Sequence, residues 1–430
     1  MNMEELDQLT DDAISYIQHV CDTFGPRISG SKQERNAFEE LETKLRKFAD
    51  FTYVDTYKVY PTFYPGDFVR IFGVCVIIGW ILFFFSNVWG IFSIILPLFG
   101  LFVVFISLVK LKYWFAFFSK KGISHNVTAR ILPKDDKNGI QPSKKRIIIA
   151  GHMDSAFQMK ITRFGDKSML FLVFSILYTI LIALFSLARI LLLQGGGMKL
   201  ILSLGPLGLG WLDIAFLGIS IIGLPTLIIT LRGFSGGIPV LGANDNLSGV
   251  ALALEIGDYF AKDEHRLNNV ELWVGGFGSE ECGERGAENF VKKYSKLGLL
   301  KDSIAIIPES LGAGTDLAIL TKELMHLVTH DKDVCSTIER AYNSLKEQGE
   351  NDEFVSCRIA PDLKMGSSDG GRFALAGFPS STVLGYEGRI MKPANWHEVT
   401  DDPKHLTRKT LRTAIGIYVH FINNLDHSMG

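Results

Sequence analysis

The sequence predicts an α/β protein: a central mixed, mostly parallel sheet sandwiched by helices, with about four transmembrane helices added in two hairpins. Three observations predict it. Short β-branched apolar runs alternate with helical patterns through the charged parts of the chain. Two long stretches carry almost no charge. The apolar runs end, one after another, on histidines and carboxylates.

The chain has 430 residues, enough for two or more units. With 44 basic and 46 acidic residues it presents no basic excess, which argues against a nucleic-acid surface. The hydrophobic fraction is 47 %, and mean hydropathy is positive because that content is unevenly placed. The five cysteines are odd in number, far apart and without a CxxC spacing, as expected of thiols in a reducing compartment. The opening "MNMEELDQLTDDAISYIQHV" is acidic and helix-like and lacks the basic-then-apolar order of a signal peptide.

In chain order, helical periodicity covers residues 4–21 and 32–48, and strand-like runs follow at 52–59, 126–132 and 146–150. The first apolar block separates the earliest of these strands from the rest. Between Ile71 and Val109 no residue is charged, nearly twice the ~20 positions one crossing needs. "FSNVWG" (85–90) supplies a turn between two spans. The second block gives a third span at 168–188, a loop at "QGGGMK", a glycine-rich interfacial or re-entrant stretch at 200–211 and a fourth span at 214–231. Asp213 reads as a boundary residue at a span end. The division is then 1–67, 68–112, 113–167, 168–232 and 233–430, the second and fourth pieces being hairpins. Arg70, Lys110, Lys112, Lys120, Lys121, Lys160, Arg163, Lys167 and Arg232 flank the returning ends, so the positive-inside rule places the soluble parts of this multi-pass protein in the cytoplasm. The sequons at Asn126 and Asn246 are then chance matches. After the second block, helix is expected at 247–261, 285–294, 331–345 and 405–424, and strand at 269–275, 303–307 and 381–384.

In open parallel sheets, ligands collect beyond the carboxyl ends of the strands. "KRIIIAGHMDS" ends on His152 and Asp154, "IPVLGANDN" on Asp245, "VELWVGGFGSEE" on Glu280 and Glu281, and "SIAIIPE" on Glu309; "NWHEV" carries His397 before the last helix. Imidazole and carboxylate oxygen suit a pair of divalent metals, with zinc the natural choice. Asp245 could bridge, with His152 and Glu309 completing one site and Glu281 and His397 the other. Asp154, two residues past His152 on an extended chain, can accept from the second imidazole nitrogen and fix its tautomer. Glu280, facing away from its neighbour, is left as a general base.

The ordered set resembles the M28 family of co-catalytic zinc peptidases, of aminopeptidase type. "GHMDS", "GANDNLSGVA", "GSEECGERGAENF", "NWHEVTDD", "MGSSDGGRFALAGFPSSTVL" and the early "FGPRISGSKQERNAFEELETKL" all look like motifs of that family, covering nearly all of the chain outside the hairpins. The resemblance implies the same sandwiched sheet, two zinc ions, and the same roles for His152, Asp154, Asp245, Glu280, Glu281, Glu309 and His397. Glu309 departs from the usual aspartate by one methylene. Met365 stands where some members carry a tyrosine that supports the intermediate, leaving Lys364, Tyr386 and Arg389 as candidate oxyanion donors. Because the hairpins fall between the motifs, the site is expected close to a lipid bilayer.

The expected activity is hydrolysis of short peptides from the amino end. A carboxypeptidase, using Arg372 or Arg389 for the terminal carboxylate, and a glutaminyl cyclase are alternatives on the same scaffold. An inactive membrane binding or assembly protein is a third, weakened because every ligand and base position holds a usable side chain.

Overall fold

The run Lys145–His152 shows how the central sheet is built. Its residues alternate between two apolar layers: Ile147 and Ile149 join one core cluster, Ile148 and Ala150 the other. A strand buried on both faces belongs in the middle of a helix-covered sheet. The structure is a computed structural model describing all residues except 86–87, 135–144, 205–206, 235–236, 324, 350–352, 361–365, 389–390 and 430.

The chain forms two units: Met1–Pro61 with Lys121–Gln158 and Ile238–Gly430, and Thr62–Lys120 with Met159–Gly237. The first begins with α1 (Met3–Phe24), α2 (Lys32–Leu45), β1 (Phe51–Val59), β2 (Gly122–Ile131) and β3 (Lys145–His152). The second unit holds α3 (Phe68–Leu82), α4 (Phe92–Val104), α5 (Ser168–Gln194), β4 (Leu202–Leu204), β5 (Leu207–Leu209) and α6 (Trp211–Phe234). The first resumes with α7 (Ser248–Ala261), β6 (Val270–Phe277), α8 (Arg285–Lys296), β7 (Ser303–Glu309), β8 (Asp316–Leu320), β9 (Lys322–Glu323), β10 (Val328–Thr329), α9 (Lys332–Gln348), β11 (Ser356–Ala360), α10 (Asp369–Leu375), β12 (Ser380–Tyr386) and α11 (Arg408–Ser428).

The large sheet has eight strands in the order β1-β2-β6-β3-β7-β12-β8-β11. Its middle, β6-β3-β7-β12, is parallel throughout, and antiparallel pairs flank it on both sides. One face packs on α1, α2, α7, α9 and α11; the other, built around Trp273, Phe277 and Ile307, packs on α8 and α10. Four neighbouring parallel strands therefore present their carboxyl ends together.

The expected helices and strands of this unit are all found. Beyond them, the structure adds β8, β9, β10, β11 and α10. These are two to seven residues long, too short for a periodic signal.

In the second unit, four apolar helices pack around Phe72, Val76, Phe83, Tyr178, Ile182, Phe216 and Leu227. Among the described residues, three helical stretches are long and apolar enough to cross a membrane: Trp89–Val109, Leu170–Gln194 and Trp211–Phe234. The expected fourth is shorter. α3 has 15 residues, about 22 Å at 1.5 Å per residue against a hydrocarbon core of about 30 Å. Asp213 lies in the first turn of α6, buried and paired with Arg189 at 2.7 Å. Residues 200–211 carry the β4–β5 ladder.

Candidate metal centre

The site starts from a glycine. A Cβ at Gly151 would lie 2.5 Å from the backbone of Gly249 and Val250, so only glycine lets β3 run this close to the start of α7. That approach brings His152, the last residue of β3, against Asp245 in the segment leading into α7. His152 Nε2 is 3.1 Å from Asp245 Oδ1 and 3.8 Å from Glu309 Oε1. Glu309 is the last residue of β7. On the other side of Asp245, its Oδ2 is 3.5 Å from His397 Nε2, which is 3.1 Å from Glu281 Oε2.

Among the described residues, three donor groups emerge in which one ligand atom per residue lies within 4.8 Å of every other: His152–Asp245–Glu309, Asp245–Glu281–His397 and His152–Glu280–Glu281. All five sequence-predicted ligands are brought together, with Asp245 common to the first two groups. Asp245 Oδ2 and Glu281 Oε1 are buried without a hydrogen-bond partner among the described residues. Orphaned carboxylate oxygens beside two imidazoles suit a divalent cation of the zinc type. Backbone strain gathers here as well: Ser279, Ser310 and His397 all have φ between 52° and 55°.

The surroundings divide the work differently from the sequence expectation at Asp154. His152 Nδ1 lies 3.0 Å from the backbone carbonyl oxygen of Asp154 and 3.6 Å from its carboxylate. The carboxylate instead accepts from Glu280 N–H at 3.0 Å, Glu281 N–H at 3.1 Å and Ser29 Oγ at 2.6 Å. Glu34 extends this grip, accepting from Ser279 N–H at 3.2 Å, Ser124 Oγ at 2.8 Å and Gly30 N–H at 2.6 Å. Three consecutive backbone N–H groups, 279 to 281, are thus held by two buried carboxylates.

Four further residues escaped sequence reasoning. Arg27 is fully buried and donates to the carbonyls of Met153, Gly25, Leu241 and Gly242, stapling the loop after β3 to the approach to Asp245. Asp401 accepts from Asn244 N–H at 2.6 Å and Asp245 N–H at 3.1 Å, tying the Asp245 segment to the loop of His397. Asn246 donates to Pro308 O and Glu309 Oε2 and accepts from Ser310 N–H, fixing the end of β7. Arg27 and Glu34 lie in the quoted "PRISGSKQE" stretch, and their signal was that motif alone. Asp369 is the fourth.

Burial raises Glu280 well above the usual carboxylate range, with His152 opposing and Glu281, Asp369 and Glu309 adding. Burial also lifts Glu309 to about 7 against the pull of His152. Asp245 is buried too, but His152 and His397 hold it low. Burial, followed by Asp245, pushes Asp401 up to about 8.

Of the other candidates, Tyr386 packs among Ala318, Leu320, Ala360 and Met391, and its hydroxyl accepts from Arg358. It is not among the metal-centre side chains. Arg372 is buried, 2.9 Å from Glu284 and donating to Gly283 O at 2.7 Å. Lys364, Met365 and Arg389 lie outside the described residues.

The family model of peptidase family M28 matches residues 230–422. No curated protein matches the chain in sequence. Among solved structures, BSAP, a zinc aminopeptidase from Bacillus subtilis, is 13 % identical with a TM-score of 0.54, covering 97 % of this chain and 95 % of its own. A Zn-dependent exopeptidase from Parabacteroides distasonis is 12 % identical (TM-score 0.51, 96 % and 98 % covered). A glutaminyl cyclase from Fimbriiglobus ruber is 14 % identical (TM-score 0.51, 96 % and 94 % covered). At these identities the likeness establishes the shared fold. The matched segment contains Asp245, Glu281, Glu309 and His397, and the fold brings them to His152; the match of this segment to peptidase family M28 supports a hydrolase of the metallopeptidase class.

Proposed function

We propose that this protein is a membrane-anchored di-zinc aminopeptidase acting on short peptides. The observation that carries the reading is the pair of donor groups sharing Asp245, His152–Asp245–Glu309 and Asp245–Glu281–His397. When bound there, zinc would supply Lewis acidity, polarising the scissile carbonyl and lowering the pKa of water.

Glu280 sits beside both groups, its Oε2 3.9 Å from His152 Nε2. Burial and neighbouring carboxylates raise its proton affinity. A carboxylate so placed can take a proton from the attacking water and hand it to the leaving amine nitrogen. Asp154 and Glu34 hold the backbone on which Glu280 and Glu281 stand.

Two features favour the amino end of the substrate. The site is dominated by carboxylates, which suit an ammonium. Arg372, the described candidate for a terminal carboxylate, is committed to Glu284 and Gly283. Anchoring in a lipid bilayer is supported by three long apolar helices among the described residues, whose most apolar stretches are only 28–33 % buried. Exposed residues such as Ile221 and Ile222, each 75 % accessible, are ill suited to water. Basic residues flanking the apolar blocks favour a cytoplasmic peptidase unit.

The test is hydrolysis of a panel of aminoacyl reporters by the full chain purified in detergent, with N-blocked and C-blocked peptides alongside. Activity should require a free amine, vanish with chelator and return with zinc. A peptide with amino-terminal glutamine separates hydrolysis from cyclisation. Glu280→Gln should lower turnover about 10²- to 10⁴-fold while keeping its zinc. Turnover matching the unaltered protein would reject the base assignment, and activity on N-blocked peptides alone would reject the aminopeptidase.

A further inference from the structure

Asp369, the first residue of α10, has no role in the chemistry described so far. It is 1 % exposed, and neither carboxylate oxygen has a hydrogen-bond partner among the described residues. Two contacts place it. On one side, Ser368 Oγ lies 2.7 Å from Thr382 Oγ1. Thr382 stands in register with Ile307, two residues before Glu309. On the other side, Arg372 donates to the carbonyl of Gly283, in the loop that carries Glu280 and Glu281. Asp369 is therefore bracketed between the strand end bearing Glu309 and the loop bearing the base. Its charge is felt by Glu280, and it feels those of His152, Glu309 and Asp154.

The seat beneath it is rigid. Glu323 accepts from Ser368 N–H at 3.0 Å and from Ser368 Oγ, and lies 2.9 Å from His330 Nε2. A Cβ at Gly370 would come within 2.3 Å of Thr382 Oγ1, and one at Gly371 within 2.5 Å of His326. Glycines at both positions let the backbone sink into this network. The fold thus holds a buried carboxylate in a fixed place with no hydrogen-bond partner among the described residues, an arrangement that costs stability unless a ligand supplies one.

We propose that Asp369 receives the α-ammonium group of the peptide substrate and so determines specificity for a free amino terminus. The proposal rests on the aminopeptidase reading. The ligand is a hydrogen-bonding cation rather than a metal, because no metal-binding group among the described residues includes Asp369. Recognition by a charged hydrogen bond in a dry site accounts for about ten- to hundredfold in affinity.

Leucine hydroxamate and its counterpart lacking the amine differ only in the ammonium, and both anchor to zinc. Their binding to the zinc-loaded full chain is measured by calorimetry for the unaltered protein and for Asp369→Asn. The unaltered protein should prefer the amine, and the variant should lose that preference at least tenfold while binding the amine-free hydroxamate within twofold of normal. Without ligand, the variant should melt higher, because an unpaired buried carboxylate has gone. No preference in the unaltered protein would overturn the aminopeptidase reading and this proposal with it. A preference that survives in the variant would overturn the role of Asp369 alone. Equal weakening of both hydroxamates, with a lower melting temperature, would show Asp369 to be a packing residue and overturn the proposal as well.

Discussion

Replacing Asp154 by asparagine leaves its shape and removes one charge and one acceptor. The native carboxylate accepts from Ser29 Oγ, Glu280 N–H and Glu281 N–H. If the amide oxygen of Asn keeps Ser29 and Glu281, its nitrogen must face Glu280 N–H, donor against donor. One charge-assisted hydrogen bond is lost, about 1.5–3 kcal/mol, and a buried N–H is left unmatched, a further 1–3 kcal/mol or so. The sum, about 2.5–6 kcal/mol, divides between lower stability and displacement of the 279–281 backbone. His152 keeps its nearest Nδ1 partner, the backbone carbonyl of residue 154, and loses only the longer 3.6 Å contact to the carboxylate. The variant should therefore lose zinc affinity mainly in the group Asp245–Glu281–His397, by about 10- to 100-fold, and turnover with it through Glu280. Competition of the full chain with a chromophoric chelator would resolve the two binding steps that the di-zinc proposal expects, and a thermal melt reports the stability. If only the step assigned to the His152 group weakened, the carboxylate would be orienting the imidazole after all. If both steps and the melt were unchanged, the account of the loop would be wrong.

Two further outcomes follow from buried charges away from the candidate metal centre. Burial, then Asp12 and Asp258, pushes partly buried Glu255 in α7 up to about 7 from an ordinary 4.5. A raised carboxylate destabilises the fold only where it must ionise. The penalty is therefore absent below about pH 4.5, grows through pH 7 and is complete above it. After solvent screening, Glu255→Gln should stabilise by about 1–2 kcal/mol at pH 8 and by nothing measurable near pH 4.5; a gain independent of pH in thermal melts would refute the cause. In the apolar unit, Arg189 meets Asp213 at 2.7 Å and donates to the carbonyls of Phe85 and Phe84. Arg189→Met or Asp213→Leu alone should cost about 3–5 kcal/mol by stranding the other charge, and the double variant should recover most of it. A double variant melting in detergent no higher than the worse single one would contradict this.

What the sequence made legible follows from where each residue stands on the chain. His152, Glu281 and Glu309 each sit where an apolar run stops, so strand ends could be read directly as site positions. The residues that aim them could not. Glu34 looks like an ordinary acidic residue in the first turn of α2, and Asp401 like half of a solvated pair whose other half, Asp402, does cap a helical turn. Only the folded backbone shows that Glu34 and Asp401 turn inward to N–H groups far away in sequence. The apolar blocks show the same limit. Composition counts uncharged positions, but α3 ends at Leu82, and no count of uncharged residues marks where a helix stops. Asp154 makes the reason plainest. A histidine followed two residues later by aspartate offers the imidazole two acceptors from one residue, a carbonyl and a carboxylate. Local spacing does not choose between them. The choice is made by the N–H groups of Glu280 and Glu281, which return across the sheet and claim the carboxylate first.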